Sequence, residues 1–131
     1  MKSIREIQEE IFRLGKIIDA PKSHLTIGDK LADPVIKVEI HGNEYHYVVV
    51  ERGIERQRVV TNDPFEIIYT FIKKAALSVA SKYAATNKAP EQNFRRLMFQ
   101  HQLELLGRLG PEWEARLQKE IDEILSRYPN M

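Results

Sequence analysis

The sequence predicts an α+β domain: an N-terminal helix, a three-stranded antiparallel meander, then three C-terminal helices packed with the sheet. Three observations carry this. Val35–His41, Tyr45–Glu51 and Glu55–Thr61 have strand character and are separated by reversals at Gly42-Asn43 and Arg52-Gly53. Asn62-Asp63-Pro64 stops the last run and starts a helix, with Asp63 as N-cap and Pro64 at the first helical position, where a missing N–H costs nothing. The long stretches on either side of this block have a helical period.

Taken in order, Ile4, Ile7, Ile11, Leu14 and Ile18 recur at helical spacing, so residues 3–19 form an amphipathic helix. Ser3 with Glu6 three residues on is a capping box, and Asp19-Ala20-Pro21 ends the helix. Lys22 to Asp33 has little periodicity, although the composition of Leu25–Ile27 allows a short strand. Pro34 opens the first strand, where Ile36, Val38 and Ile40 alternate with Lys37, Glu39 and His41. Gly42 at the first turn position suggests a type II′ reversal, and Gly53 is free to take a positive φ in the second. Val48, Val49 and Val50 in succession predict a middle strand covered on both faces over part of its length. Strict alternation in the third strand puts Arg56 and Arg58 on one face and Glu55, Gln57 and Val59 on the other.

Residues 64–88 read as one long helix with a stripe of Phe65, Ile68, Ile72, Ala75, Val79 and Tyr83, widened by Ala76, Ala80 and Ala84. Pro90 restarts the chain, and Phe94, Leu97, Met98, His101, Leu105 and Leu109 form the stripe of the next helix. Gly110-Pro111 breaks it, and Trp113, Leu117, Ile121, Ile124 and Tyr128 predict the last helix, stopped by Pro129.

A length of 131 residues suits a single domain over residues 1–131. The absence of cysteine excludes a disulfide framework, a thiol nucleophile and a thiolate metal site. The charged start MKSIREIQEE is unlike a secretion signal, and no apolar run approaches the roughly 20 residues of a membrane span. Net charge is +1, but seven basic residues (Lys73, Lys74, Lys82, Lys88, Arg95, Arg96, Arg108) face only Glu91 and Glu104 between residues 73 and 108. They raise an alternative, a small nucleic-acid-binding or regulatory adaptor domain. Against it, the pI is near 8.0 and the aromatic residues fall on apolar stripes rather than among the basic ones.

Catalytic patterns are missing: no GxSxG elbow, no HExxH and no phosphate-binding glycine loop. His41 and His46, with Glu39 and Glu44, flank one turn, but zinc needs three or four converging ligands, and exposed strand residues account for them better. His101 on an apolar stripe reads as a boundary histidine and Trp113 as a core anchor. No enzyme activity, cofactor or metal is expected. The hairpin ends are different. Glu51, Arg52, Glu55, Arg56 and Arg58, with Asp63 beyond, either staple the hairpin through weak cross-strand pairs or form a charged recognition surface for a partner protein.

At Glu51-Arg52-Gly53, followed by Arg58, Thr61, Asp63 and Phe65-Glu66-Ile67-Ile68-Tyr69, the chain resembles immunity proteins of bacterial polymorphic toxin systems, most closely the immunity protein 63 family. Tyr83, Arg95-Arg96, Phe99-Gln100-His101-Gln102-Leu103, Leu105-Leu106, Trp113 and Tyr128-Pro129 extend the resemblance over nearly the whole chain. Asn93-Phe94 departs from it, standing where an acidic residue is expected before Arg95. The resemblance implies a cytoplasmic antidote that binds a cognate toxin domain and blocks it without chemistry of its own. Such toxins are often nucleases, whose basic clefts would attract Glu6, Glu9, Glu10 and the acids of Glu112–Glu123. No nucleic acid or membrane is expected as a partner. The protein would be a monomer or, through the edge strand Val35–His41, a homodimer.

Overall fold

The computed structural model describes residues 1–129. Its elements run α1 (Ile4–Ile17), a 3₁₀ turn (Lys22–His24), β1 (Val35–His41), β2 (Glu44–Glu51), β3 (Ile54–Thr61), α2 (Pro64–Asn87), α3 (Phe94–Gly107) and α4 (Pro111–Arg127). This is the expected α+β order, and the sheet is an antiparallel meander β1-β2-β3. The chain divides into two compact units, one of Met1–Lys16 with Pro21–Ile72, the other of Ile17–Ala20 with the chain from Lys73 onward.

Local chemistry sets the helix starts. The Ser3 N–H donates to Glu6 Oε1 at 2.9 Å and the Glu6 N–H to Ser3 Oγ at 3.1 Å, a reciprocal capping box. Asp63 Oδ1 accepts the Phe65 N–H at 2.9 Å, while Asn93 Oδ1 accepts the Arg96 N–H at 2.9 Å. Asn93, the departure from the family pattern, is therefore the cap of α3.

In the first unit, the sheet buries Val38, Tyr45, Tyr47 and Val49 on one face. The Tyr47 ring meets Phe71 edge-on at 5.4 Å, and the Tyr45 hydroxyl donates to the Lys2 carbonyl at 2.5 Å. Val48 points to the other face yet is buried, flanked in register by Lys37 and Arg58. The middle strand is thus covered on both faces over this part.

Leu25–Ile27 is not a strand. Gln8 on α1 takes its backbone groups instead, donating Nε2–H to the Leu25 carbonyl at 2.8 Å and accepting the Ile27 N–H through Oε1 at 2.7 Å. One side-chain amide does what a neighbouring strand would do. Gln8→Leu strands both groups and is expected to cost about 2–4 kcal/mol, read as a lowered urea midpoint. A midpoint within error of the parent would show that water replaces the amide.

In the second unit the alanine side of the expected α2 stripe is the buried one, and the α3 stripe is turned from that expected. Ala75, Ala76, Ala80 and Ala84 are the buried residues of that part of α2, while Tyr83 is exposed and Val79 only half-buried. At the other end of α2, in the first unit, Phe65 is likewise exposed and Ile67, Ile68, Tyr69, Phe71 and Ile72 are buried. In α3 the buried residues are Gln102, Leu105 and Leu106 rather than Phe94, Leu97, Met98 and His101. Periodicity counts large apolar side chains, but close helix packing selects small ones. Gln102 is tolerated inside because its amide donates to the Lys73 carbonyl at 3.1 Å. Trp113, Leu117 and Ile121 are the buried positions of α4, as expected.

Candidate functional site

The site grows from the β2–β3 hairpin. Both turn residues adopt positive φ, Arg52 at 52° and Gly53 at 78°, the pattern of a type I′ reversal that suits the right-handed strand twist. A non-glycine residue is strained there, and the strained backbone is tied down: the Arg52 N–H donates to Asp33 Oδ1 at 3.1 Å. The first turn has positive φ at Gly42 (63°) but not at Asn43, as a type II′ reversal requires.

A β-bulge then changes which residues meet. Val48 pairs with Arg58, Val49 with Gln57 and Val50 with Glu55, so Arg56 is the extra residue. Strict alternation set Glu55 opposite Arg58. The bulge adds one residue and brings Glu55 round to Arg58's face, and this overturns that expectation.

The result is a clasp on the outer face of the sheet. Arg58 forks onto Glu55, Nε to Oε2 at 3.0 Å and Nη2 to Oε1 at 2.7 Å. Its Nη1 donates to Glu39 Oε1 at 3.2 Å and to His46 Nδ1 at 2.8 Å. Glu39 Oε1 also bonds His41 Nε2 at 2.9 Å, and the His41 ring leans on His46 with centroids 4.1 Å apart. A guanidinium can only donate, so His46 Nδ1 is the acceptor of this bond, which leaves Nε2 as the ring's donor. That Nε2 is buried without a hydrogen-bond partner among the described residues, and Glu44 Oε1 stands 3.8 Å away.

Each group tunes the others. Glu39 lies below the usual carboxylate value, chiefly through the His41 hydrogen bond and then Arg58; Glu55 is lowered by Arg58; and Arg58 is raised, chiefly by Glu55. For carboxyls lowered in the folded state, the stabilisation is present above the unfolded value and is lost as pH falls through the folded one. The wild type should therefore have a lower urea midpoint at about pH 3 than at about pH 6, with a smaller difference in the Glu39→Gln, Glu55→Gln double variant. An undiminished difference in that variant would assign acid sensitivity to other groups.

The remaining expected residues fall apart from the clasp. Glu51 and Arg56 form a loose pair at 3.8 Å near the hairpin end, and the Arg52 side chain makes no ion pair among the described residues. Asp63 is occupied as the α2 cap. From the sequence, Glu39, His41 and His46 read as exposed strand residues, as metal ligands or, for the two histidines with Glu44, as a small hydrolase site, and none of these readings joins them to Arg58. Counting the register outward from the Gly42-Asn43 turn, which sets Glu39 opposite His46, would have brought them together. The described residues contain no group of three or more His, Cys, Asp or Glu able to hold a metal. Exposed Ile54 and Val60 add apolar area beside the charged array, a mixture that suits protein recognition.

Several of the other charged residues are also engaged. Glu9 pairs with Arg5 and Glu10 with Arg13. Of the basic residues between 73 and 108, Lys73 reaches Glu120 at 3.4 Å, Arg108 reaches Asp19 at 3.3 Å and Glu104 at 3.4 Å, and Arg95 is bound to backbone carbonyls. His101 stacks on Tyr83 with centroids 3.9 Å apart. No helix of the described residues is long and apolar enough to cross a membrane.

No curated protein and no solved structure matches the chain. The model of the immunity protein 63 family matches residues 42–123. That span opens at the first hairpin turn, carries His46, Glu55 and Arg58 of the clasp, and ends in α4. With this match over more than half of its length, the chain belongs to the immunity protein 63 family, and its role is that of an immunity protein.

Proposed function

We propose that the protein is a cytoplasmic antidote acting as one domain over residues 1–131, which binds a cognate polymorphic-toxin domain and neutralises it by contact, without catalysis. The observation that carries this reading is that the family match contains the hairpin, where strained Arg52, Arg56 and exposed Ile54 stand beside a clasp already held in place by Arg58. A surface ordered before binding loses little entropy on docking. The clasp carboxylates, Glu39 and Glu55, are engaged by Arg58 and His41, so the array suits recognition better than metal binding. The toxin is most simply a nuclease, and the antidote a monomer or homodimer.

The test is co-expression with the toxin encoded beside the gene. Wild-type protein should restore growth and co-purify stoichiometrically in about 0.5 M salt, where mainly electrostatic contacts are screened. Arg52→Ala and Arg56→Ala, which leave the clasp intact, should each weaken binding by about tenfold. Failure of the wild type to bind or protect refutes the reading. Nucleic acid in the purified material that washes off with salt would favour the adaptor alternative.

A further inference from the structure

A groove of about 510 Å³ lies along α3 and α4, with a floor of Phe99, Leu103, Ile121 and Leu125. This volume is within the range of about 300–1,000 Å³ found for ligand sites. Arg95 and Arg96 stand at it, and the other polar lining residues are amides, so no carboxylate lines it among the described residues. The two arginines differ. Arg95 is used internally, its fork donating to the Tyr128 carbonyl at 2.6 Å and the Pro129 carbonyl at 3.2 Å, which holds the chain after α4 as one wall. Arg96 is exposed, and its guanidinium has no partner among the described residues. A fixed wall, an apolar floor and one unpaired cation select an occupant with apolar side chains and a carboxylate.

We propose that this groove is a second contact surface for the toxin and takes an amphipathic, acidic segment of it, with a carboxylate on Arg96 and apolar side chains on the floor. The proposal rests on the antidote reading and names the chemistry of a contact away from the hairpin. It also accounts for the Arg95-Arg96 and Phe99–Leu103 stretches, which the clasp leaves without a part.

Two measurements test it on the full chain. In the first, the isotope-labelled protein is titrated with a helical Leu/Glu peptide and with its Leu/Lys counterpart, and amide shifts are followed by NMR. Shifts at Phe99, Leu103, Ile121 and Leu125 with the acidic peptide only, and a preference reversed by Arg96→Glu, are expected. Equal response to both peptides, or shifts confined elsewhere, overturns the proposal. In the second, Arg96→Glu should weaken toxin binding by about tenfold, with thermal stability unchanged because the cap uses the Arg96 backbone N–H. If the wild type protects against the toxin and Arg96→Glu binds it equally well, the groove proposal fails and the antidote reading stands. If the wild type does not bind the toxin, both fail.

Discussion

Arg58→Ala is expected to weaken toxin binding by about 30-fold or more while lowering the melting temperature by only a few degrees. The stability cost is small because the clasp is exposed: exposed ion pairs contribute about 0.2–1 kcal/mol each. The binding cost is large because the side chain positions four others. Without it, Glu55 loses its fork and Glu39 is left with His41 and a loose contact to Lys37, while Glu39 already opposes the ionisation of Glu55. His46 loses the donor to its Nδ1 and is free to change tautomer or turn, which releases the His41 ring leaning on it. Arg58→Lys separates charge from geometry. It keeps the positive charge but cannot fork onto Glu55 while also reaching Glu39 and His46, so it should recover stability and leave most of the binding defect. Calorimetric titration of the three proteins against the toxin decides the matter. Undiminished affinity in Arg58→Ala would reduce the clasp to a hairpin staple.

The second large effect is a reversal of sign at Gly15. A Cβ at this position would lie 2.2 Å from Leu25 Cδ1 and 2.8 Å from Cδ2, and Leu25 is 3 % exposed. Gln8 holds the Leu25 carbonyl and the Ile27 N–H, and the Leu25 N–H donates to the Lys22 carbonyl, so the leucine cannot simply withdraw. In the wild type Gly15→Ala should therefore cost about 1–3 kcal/mol, despite the gain of about 1 kcal/mol in helix propensity. Leu25→Ala should cost about 2–5 kcal/mol through lost burial and a cavity. With the leucine truncated, the obstacle is gone and the new methyl group occupies part of the vacated space. Gly15→Ala should then be stabilising in the Leu25→Ala background. Urea unfolding of the four proteins gives the coupling directly. Simple additivity would show that Leu25 finds another rotamer at little cost.

Both effects turn on partners far apart in the chain. Gly15 reads as an indifferent residue in an amphipathic pattern; only the packing of Leu25 against it explains why a side chain is missing there. The hairpin is a more instructive case, because its position was legible and its chemistry was not. Gly42-Asn43 and Arg52-Gly53 mark the reversals, and the alternation of Ile36, Val38 and Ile40 marks the sheet's inner face. The bulge at Arg56 has no such mark. One extra residue reverses the facing of Glu55 and creates the clasp.

By itself the sequence determined the order and ends of the elements: the Ser3–Glu6 box, the Asp63-Pro64 start, the Gly110-Pro111 break and the two turns all act within a few residues. It also carried the family pattern. Tertiary structure alone decided which part of the wide α2 stripe and which face of α3 are buried, that Gln8 supplants a strand at Leu25–Ile27, and that Glu39, His41, His46, Glu55 and Arg58 act together. The physical reason is range. Caps and turns satisfy backbone groups within a few residues, whereas face, register and side-chain partnership are settled by close packing between segments that meet only in the folded chain.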